Sequence, residues 1–398
     1  MERRDFIKKA MGWTGAGLAA SAPELAAQNA QGGEPPNVVM LIADDQAFTD
    51  YGFMGHDVIQ TPNLDRLADE SLVYTRGYVT TAVCSPSLAT MITGLYPHQH
   101  HVTGNDPVHN LPKREGPLKP LKKHFAKCPR VPKMLQKKNY LSFQSGKWWL
   151  DPYSLAGFTH GMTEDGRHGG KGLDIGREGM DPVFNFMDMA RNRGNPFYLW
   201  YAPFLPHLPH NPPERLLKKY QDTGPRKKYF AMCEWFDETC GQILDYLDET
   251  GEAENTLVLF ISDNGWPKNP DWDKRPGKGG KGSSYELGVR TPIMARWPGH
   301  ISPTRDTQTL ASNIDLAPTV LETAGLEPDP RMPGLNLTNR EAMKNRDTIF
   351  LEDFTHDMAD VDNPAASLLS RSCIHNFWKL IRWEDDIPDV PVTGATNR

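Results

Sequence analysis

Two acidic pairs and one cysteine are the residues of this chain whose types best suit chemistry. Asp44-Asp45 follows the apolar run 37–43, and Asp263-Asn264 follows the apolar run 257–261. Four hard oxygen donors from two strand ends suit Ca2+ or Mg2+. Aspartate at a strand end is also a common turn residue, so neither pair alone identifies a metal. Cys84 stands in Val83-Cys84-Ser85-Pro86-Ser87-Leu88, directly ahead of the helix-like run 89–92. Proline favours the first positions of a helix, which places Cys84 at or just before a helix N-terminus, where an anion is favoured. Taken alone, a free cysteine is usually a small buried hydrophobe. Lys147, His207 and Lys281 stand on three further loops. With all of these together, the metal reading of Asp44, Asp45, Asp263 and Asn264 becomes the better one.

The elements that must hold these residues alternate between strand and helix. Residues 37–43, 140–145, 197–201 and 257–261 read as strands, and 37–43 as one buried on both faces of a helix-covered parallel sheet. Thr61-Pro62 opens a helix, with Thr61 as its N-cap, and Gly94 closes the helix after Cys84. Asp181-Pro182 caps another, ended by Gly194. Residues 229–250 form the clearest helix, with Phe230, Trp235, Phe236, Ile243, Leu244 and Leu247 at helical spacing and Gly251 as the stop. Residues 293–297 are a further strand, and 315–324 a helix stopped by Gly325. Residues 97–132, 151–180 and 266–284 are expected as loops, and 349–351 with 377–381 as a small terminal sheet. This alternation argues an α/β sandwich. Its polar residues gather at the carboxyl ends of the strands, where open α/β sheets place their sites.

Composition excludes several alternatives. The chain has 398 residues, a net charge of −6, 34 Gly and 34 Pro. That length fits one large domain, or a large domain with a small satellite. No long basic run argues for nucleic acid. The many Gly and Pro imply long loops, as in an enzyme whose site is built from loops. Arg3-Arg4-Asp5-Phe6-Ile7-Lys8-Lys9, a weakly apolar stretch 10–20 and the small pair Ala26-Ala27 resemble a twin-arginine export signal, so residues 1–30 are set apart from the fold. The expected location is periplasmic or secreted. The stretch is too short and glycine-rich to span a bilayer, and no cysteine follows it to take a lipid, so no stable membrane anchor is expected. The five cysteines leave at least one unpaired. Cys233 and Cys240 on one helix would stand about 10 Å apart, beyond the roughly 7 Å reach of a disulfide. Gly277 to Gly282 lacks the strand-to-helix context of a nucleotide cradle.

The motifs in order are Ala43-Asp44-Asp45, Cys84-Ser85-Pro86-Ser87, Thr93-Gly94-Leu95-Tyr96-Pro97, Gly146-Lys147-Trp148, Pro206-His207-Leu208-Pro209, Ser262-Asp263-Asn264-Gly265 and the run from Lys281 to Pro292. This series resembles the type I, formylglycine-dependent sulfatases, over roughly residues 36–330. The resemblance implies an alkaline phosphatase-like α/β/α sandwich with a mostly parallel central sheet. A catalytic domain over 34–345 and a short C-terminal subdomain over 346–398 are expected. It implies that Cys84 is oxidised to formylglycine by a formylglycine-generating or anaerobic sulfatase-maturating enzyme. One hydroxyl of the hydrated aldehyde would attack sulfur, and collapse to the aldehyde would expel sulfate. Asp44, Asp45, Asp263, Asn264 and the residue at Cys84 would hold Ca2+, with Mg2+ the alternative. Lys147 and Lys281 would hold sulfate oxygens, and His207 would donate a proton to, or stabilise charge on, the leaving oxygen. A thiolate is a soft ligand and matches a hard oxygen site poorly, which also favours an oxygen nucleophile at Cys84.

Two positions depart from the family pattern. Leu88 stands where the family has an arginine that pairs with the nucleophile and a metal ligand. Trp149 stands where a histidine usually follows Gly-Lys-Trp, and His98, His100, His101, His160 and His168 are the loop histidines available to replace it. The expected activity is hydrolysis of a sulfate ester, on a sulfated carbohydrate as a family-level inference. A phosphatase or phosphodiesterase of the same superfamily, or a degenerate protein that binds a sulfated glycan, stays open.

Overall fold

Every residue of β1 (Asn37–Ala43) is buried, and its side chains alternate between two hydrophobic cores. Val38, Met40 and Ile42 join one core; Val39, Leu41 and Ala43 join the other. A strand of that kind needs cover on both faces. The computed structural model describes residues 35–106, 118–266 and 280–384. The expected export segment lies outside these residues, as does the first half of the 277–282 stretch.

Around β1 the chain builds β2 (Leu72–Tyr78), β3 (Leu141–Gly146), β4 (His160–Gly161), β5 (Phe197–Ala202), β6 (Thr256–Ser262), β7 (Arg290–Arg296), β8 (Thr304–Asp306) and β9 (Ala311–Ser312). They form one sheet in the order β4-β3-β5-β1-β6-β7-β2-β8, with β9 also paired to β2. All pairings are parallel except those of β7, which runs against β6 and β2. The helices include α1 (Pro62–Asp69), α2 (Cys84–Thr93), α3 (Leu118–Phe125), α4 (Val131–Leu135), α5 (Asp181–Asn192), α6 (Lys227–Glu249), α7 (Leu316–Thr323) and α8 (Arg340–Lys344). α1, α5 and α6 cover one face through Leu64, Phe186 and Phe236. α2, α4 and α7 cover the other through Leu88, Val131 and Val320. This is the expected α/β/α sandwich. None of the described helices is long and apolar enough to cross a membrane.

Some local expectations change. The 97–132 stretch is not all loop. Pro97–His100, α3 and the start of α4 are helical, and α3 buries Leu121 and Phe125. One or two turns between prolines hold too few apolar positions to show a period. The 151–180 loop contains a 3-10 turn at Tyr153–Ala156 and two more that meet at a kink within Arg167–Asp174. Asp181 is the first residue of α5 rather than its cap, which is Met180. The terminal sheet has three antiparallel strands, β10 (Thr348–Phe354), β11 (Leu368–His375) and β12 (Trp378–Trp383). β11 escaped notice because polar Ser370, Arg371 and Ser372 interrupt it, and Phe377 lies in the turn before β12.

The terminal sheet is fastened to the sandwich. The Glu352 N–H donates to Thr80 O (2.8 Å), just upstream of Cys84. Asp315, ahead of α7, accepts two bonds from the Arg346 guanidinium (2.5 and 2.7 Å) and one each from the Ser312 and Leu335 N–H groups (both 2.8 Å). Both ion-pair side chains are buried, and removing one partner from such a pair strands a charge in low dielectric. Arg346→Ala is therefore expected to cost roughly 3–5 kcal/mol of stability, read as a fall in urea midpoint and melting temperature. Arg346→Lys should retain part of it.

Candidate active site

The register of the sheet assembles the acidic residues. Ala43 of β1 pairs with Ser262 of β6, so Asp44-Asp45 and Asp263-Asn264 leave the sheet side by side. The Asp263 N–H donates to Ala43 O (2.9 Å). Asp45 adopts φ 65°, a left-handed conformation that aspartate tolerates, and its N–H donates to Asp263 Oδ1 (3.1 Å). Asn264 Nδ2 donates to Asp45 Oδ1 (2.6 Å). At the end of β3, Gly146 has φ +82°, and a Cβ there would lie 1.9 Å from Ala202 O. Only glycine permits that approach, which lets the Lys147 N–H donate to the same oxygen (2.7 Å). Lys147 Nζ then meets both Asp44 oxygens (2.6 and 2.8 Å) and stands 4.0 Å from Asp263 Oδ2.

Cys84 is the first residue of α2 and fully buried. Its Sγ lies 3.7 Å from Asp45 Oδ1 and 3.0 Å from Lys281 Nζ. Lys281 also bonds Asp45 Oδ1, and the neighbouring Gly282 N–H donates to Ala82 O (3.0 Å), tying that loop to the Cys84 turn. Asp44, Asp45, Cys84 and Asp263 each bring a ligand atom within 4.8 Å of the others. Every metal-ligating and catalytic residue expected from the sequence thus reaches one place.

The donor set fits a divalent cation on its own geometry. Asp45 Oδ2, Asp263 Oδ2 and Asn264 Oδ1 are buried oxygens with no hydrogen-bond donor. Buried polar atoms are nearly always satisfied, and three bare oxygens beside one another are a hard-cation donor set. Burial would raise the Asp45 carboxyl, but Lys281, His207 and Lys147 outweigh it and hold it well below the usual range. Burial, then the Asp44 charge, push Asp263 up. Burial pushes the Cys84 thiol up to about 12 against the pull of the two lysines, so the sulfur keeps its proton and ligates poorly.

His207 is oriented from behind. Its Nδ1 lies 2.6 Å from Leu208 O. A carbonyl accepts only, so Nδ1 carries the hydrogen and Nε2 faces Asp45 Oδ2 at 3.3 Å. The ring stacks on Phe204 with centroids 4.2 Å apart. One guanidinium holds this whole loop: Arg177 bonds the carbonyls of Phe204 (Nε, 3.0 Å), His207 (2.9 Å) and Pro209 (3.3 Å) and the Asn211 side chain.

The departures have structural counterparts. Leu88 is buried in the hydrophobic core. Trp149 is buried against Trp148 (4.5 Å between rings) and Phe125 (6.2 Å). All five loop histidines are engaged with other groups, His168 Nε2 lying 3.9 Å from Asp106 Oδ2. His98 lies 2.6 Å from Glu352 Oε1, and His100 bonds Thr90 Oγ1. His101 stacks on His124, and His160 bonds Thr159. His168 is held beside the site strand, its carbonyl accepting the Trp148 N–H (3.0 Å).

Sequence reasoning missed Arg177, Asn105 and Asn313. Asn105 Oδ1 accepts the Ser85 N–H (3.0 Å). Asn313 donates to Ser87 Oγ (3.1 Å) and accepts the Thr80 N–H (3.0 Å), bracing both sides of Cys84. Each is a lone polar residue between motifs, and no spacing marks it.

A family model described as Sulfatase matches residues 36–326, and one described as N-sulphoglucosamine sulphohydrolase, C-terminal, matches 279–390. Human arylsulfatase A is 30% identical over 76% of this chain and 67% of its own length. Human N-acetylgalactosamine-6-sulfatase is 29% identical over 76% of this chain and 65% of its own. The chain thus spans about two thirds of these relatives' lengths. A protein solved with its substrate D-glucosamine-2-N,6-O-disulfate shares the fold at TM-score 0.70, with 20% identity and 90% of each chain covered.

Arg177→Lys keeps the charge but loses the planar fork. It is expected to lower kcat by roughly tenfold or more through misplacement of His207, with KM and melting temperature little changed. Added guanidine should partly rescue Arg177→Ala.

Proposed function

This chain belongs to the sulfatase family, and from that membership we propose that it hydrolyses sulfate esters on a carbohydrate at the Cys84 site. The observation that carries the reading is the buried convergence of Asp44, Asp45, Asp263 and Asn264 on Cys84, flanked by Lys147 and Lys281. The carbohydrate class is supported by relatives named for amino-sugar substrates.

Asp44, Asp45, Asp263 and Asn264, with the residue at Cys84, would hold a divalent cation, read as Ca2+. Bound there, it would supply positive charge that makes an oxygen nucleophile available near neutral pH. Conversion of Cys84 to formylglycine would supply that oxygen in place of a protonated, soft sulfur. The residues of the chain do the rest. Lys281, 3.0 Å from the sulfur position, stabilises negative charge there by a charge-assisted hydrogen bond. Because Lys281 also bonds Asp45, it makes the link between nucleophile and metal ligand that resemblance assigns to the arginine replaced by Leu88. Lys147, fixed over Asp44, holds a sulfate oxygen. His207 presents Nε2 towards the site, where it would stabilise charge on the leaving oxygen, or donate to it once protonated.

Charge balance favours sulfate over phosphate. Three aspartates and two lysines meet in buried space, a net of one negative charge. A divalent cation turns this to one positive, which matches the single charge of a sulfate monoester. A phosphate monoester dianion would leave an uncompensated buried charge, which is costly. We also propose that Arg3-Arg4 directs export by the twin-arginine route and that a maturation enzyme converts Cys84 before export.

Protein from its native host is expected to turn over an aryl sulfate far faster than the matching aryl phosphate. Its Cys84 peptide should show, by mass spectrometry, an aldehyde in place of the thiol at position 84 and be inert to thiol alkylation. An intact thiol there in active protein would overturn the formylglycine reading; an intact thiol with glycan binding and no turnover would establish the degenerate binder. Lys281→Ala is expected to lower kcat by roughly 100- to 1,000-fold, as loss of a preorganised donor does, and Lys281→Arg to recover part of it. EDTA dialysis should abolish turnover, and the cation that restores it identifies the metal. Arg3→Lys with Arg4→Lys should retain the chain in the cytoplasm.

A further inference from the structure

A second cationic site lies at the sheet's outer edge. Between β8, the segment that follows it and the turn joining β11 to β12 is a cavity of about 460 Å3, within the range of small-ligand sites. Five cations line it, Arg76, Arg305, Arg340, Lys344 and Arg346, against a single carboxylate, Asp306. In a chain of net charge −6 that concentration of one sign needs a cause. The local carboxylates do not supply it. Arg346 is spent on Asp315, and Asp306 takes Arg340 at 3.2 Å. Among the described residues, Arg76, Arg305 and Lys344 have no carboxylate partner. Arg340 Nη1 is a buried donor with no acceptor, a group expected to be satisfied.

The remaining lining indicates what carries the anion. Thr304, Thr307, Gln308 and Asn376 offer neutral donors and acceptors beside the cations. Phe377 stands at the rim, 69% exposed. Arg76 lies 4.1 Å over its ring and bonds the carbonyls of Gln308 and Asn376, which fixes both the ring and the charge beneath it. A membrane surface would meet a convex patch, and this site is concave. A braced aromatic plane, hydroxyl and amide groups and unpaired cations together fit a sugar ring bearing sulfate or carboxylate.

We propose that this cavity is a second binding site for an acidic saccharide chain, separate from the Cys84 centre, which grips one charged residue of a chain. Choice of a saccharide rests in part on the proposed substrate class; the anion site rests on its own side chains. Arg305 and Lys344, both exposed, supply the charge that reaches out to the ligand, and Arg340 Nη1 supplies the inner donor.

The test uses Cys84→Ala protein, which removes turnover, and titration calorimetry with a heparin-derived octasaccharide. Adding Arg305→Ala and Lys344→Ala is expected to weaken binding on the order of a hundredfold, for two lost charge-assisted contacts. Phe377→Ala should weaken it less. The control, Lys137→Ala with Lys138→Ala, removes the same charge from exposed positions ahead of β3, near the other edge of the sheet, and should leave affinity within about twofold. Equal loss in the control, or no loss in the Arg305 and Lys344 variant, overturns the site. So does binding of inorganic sulfate as tight as that of the octasaccharide, which would make it a simple ion site. With Cys84 intact, the Arg305 and Lys344 variant should keep its kcat/KM for a small aryl sulfate. A parallel fall would place these residues in the catalytic centre and also overturn the proposal. Failure of the sulfatase reading shows separately, as absence of aryl sulfate turnover by the unaltered chain.

Discussion

The structure depends on gathering three carboxylates close together inside a protein. Asp44, Asp45 and Asp263 are each 2% exposed or less. Carboxylates so placed repel one another and lose their water: burial and the Asp44 charge push Asp263 up, while at Asp45 burial is outweighed by Lys281, His207 and Lys147. Lys147 and Lys281 are what the chain itself sets against that. Each is also buried and would lose its own charge without the aspartates, whose attraction outweighs burial and raises both lysines. Neither set is stable without the other, and the pair of sets leaves bare oxygens where a hard cation fits.

Much of the scaffold follows from that requirement. Four donors on two adjacent strand ends require parallel neighbours in register, which β1 and β6 provide through Ala43 and Ser262. Lys147 must come from two strands away, so β3 ends on a glycine that lets the backbone turn against Ala202. The Lys281 loop must be pinned to the Cys84 turn, and Gly282 does so through Ala82. α2 must present its first residue to the cluster while all ten of its residues are buried. Asn105 and Asn313 brace that first turn from opposite ends of the chain.

The site was legible because its chemistry is local in sequence. Asp44-Asp45, Cys84 with Pro86, Gly146-Lys147 and Asp263-Asn264 each combine a reactive type with a strand or helix end, and buried strands announce themselves by unbroken apolar runs. The braces were not legible, because Arg177, Asn105 and Asn313 act through contacts that only the folded chain creates. The same limit hid β11, whose Ser370 and Ser372 are buried by pairing rather than by hydrophobicity. It also hid the one- and two-turn helices of the 97–132 stretch, where seven prolines punctuate what periodicity would otherwise reveal.

Leu88 shows how one replacement is absorbed. On α2 it is 1% exposed and packs with the apolar core formed by α4 and α7. A guanidinium at that depth needs a counter-ion, and its core neighbours are apolar. A link between Cys84 and Asp45 is made from outside the helix, by Lys281 on a loop. An ammonium on a flexible stem reaches both groups without disturbing the packing of α2, but it offers a point charge rather than a planar fork. The Gly282–Ala82 bond, at 3.0 Å, ties that loop to the turn before Cys84.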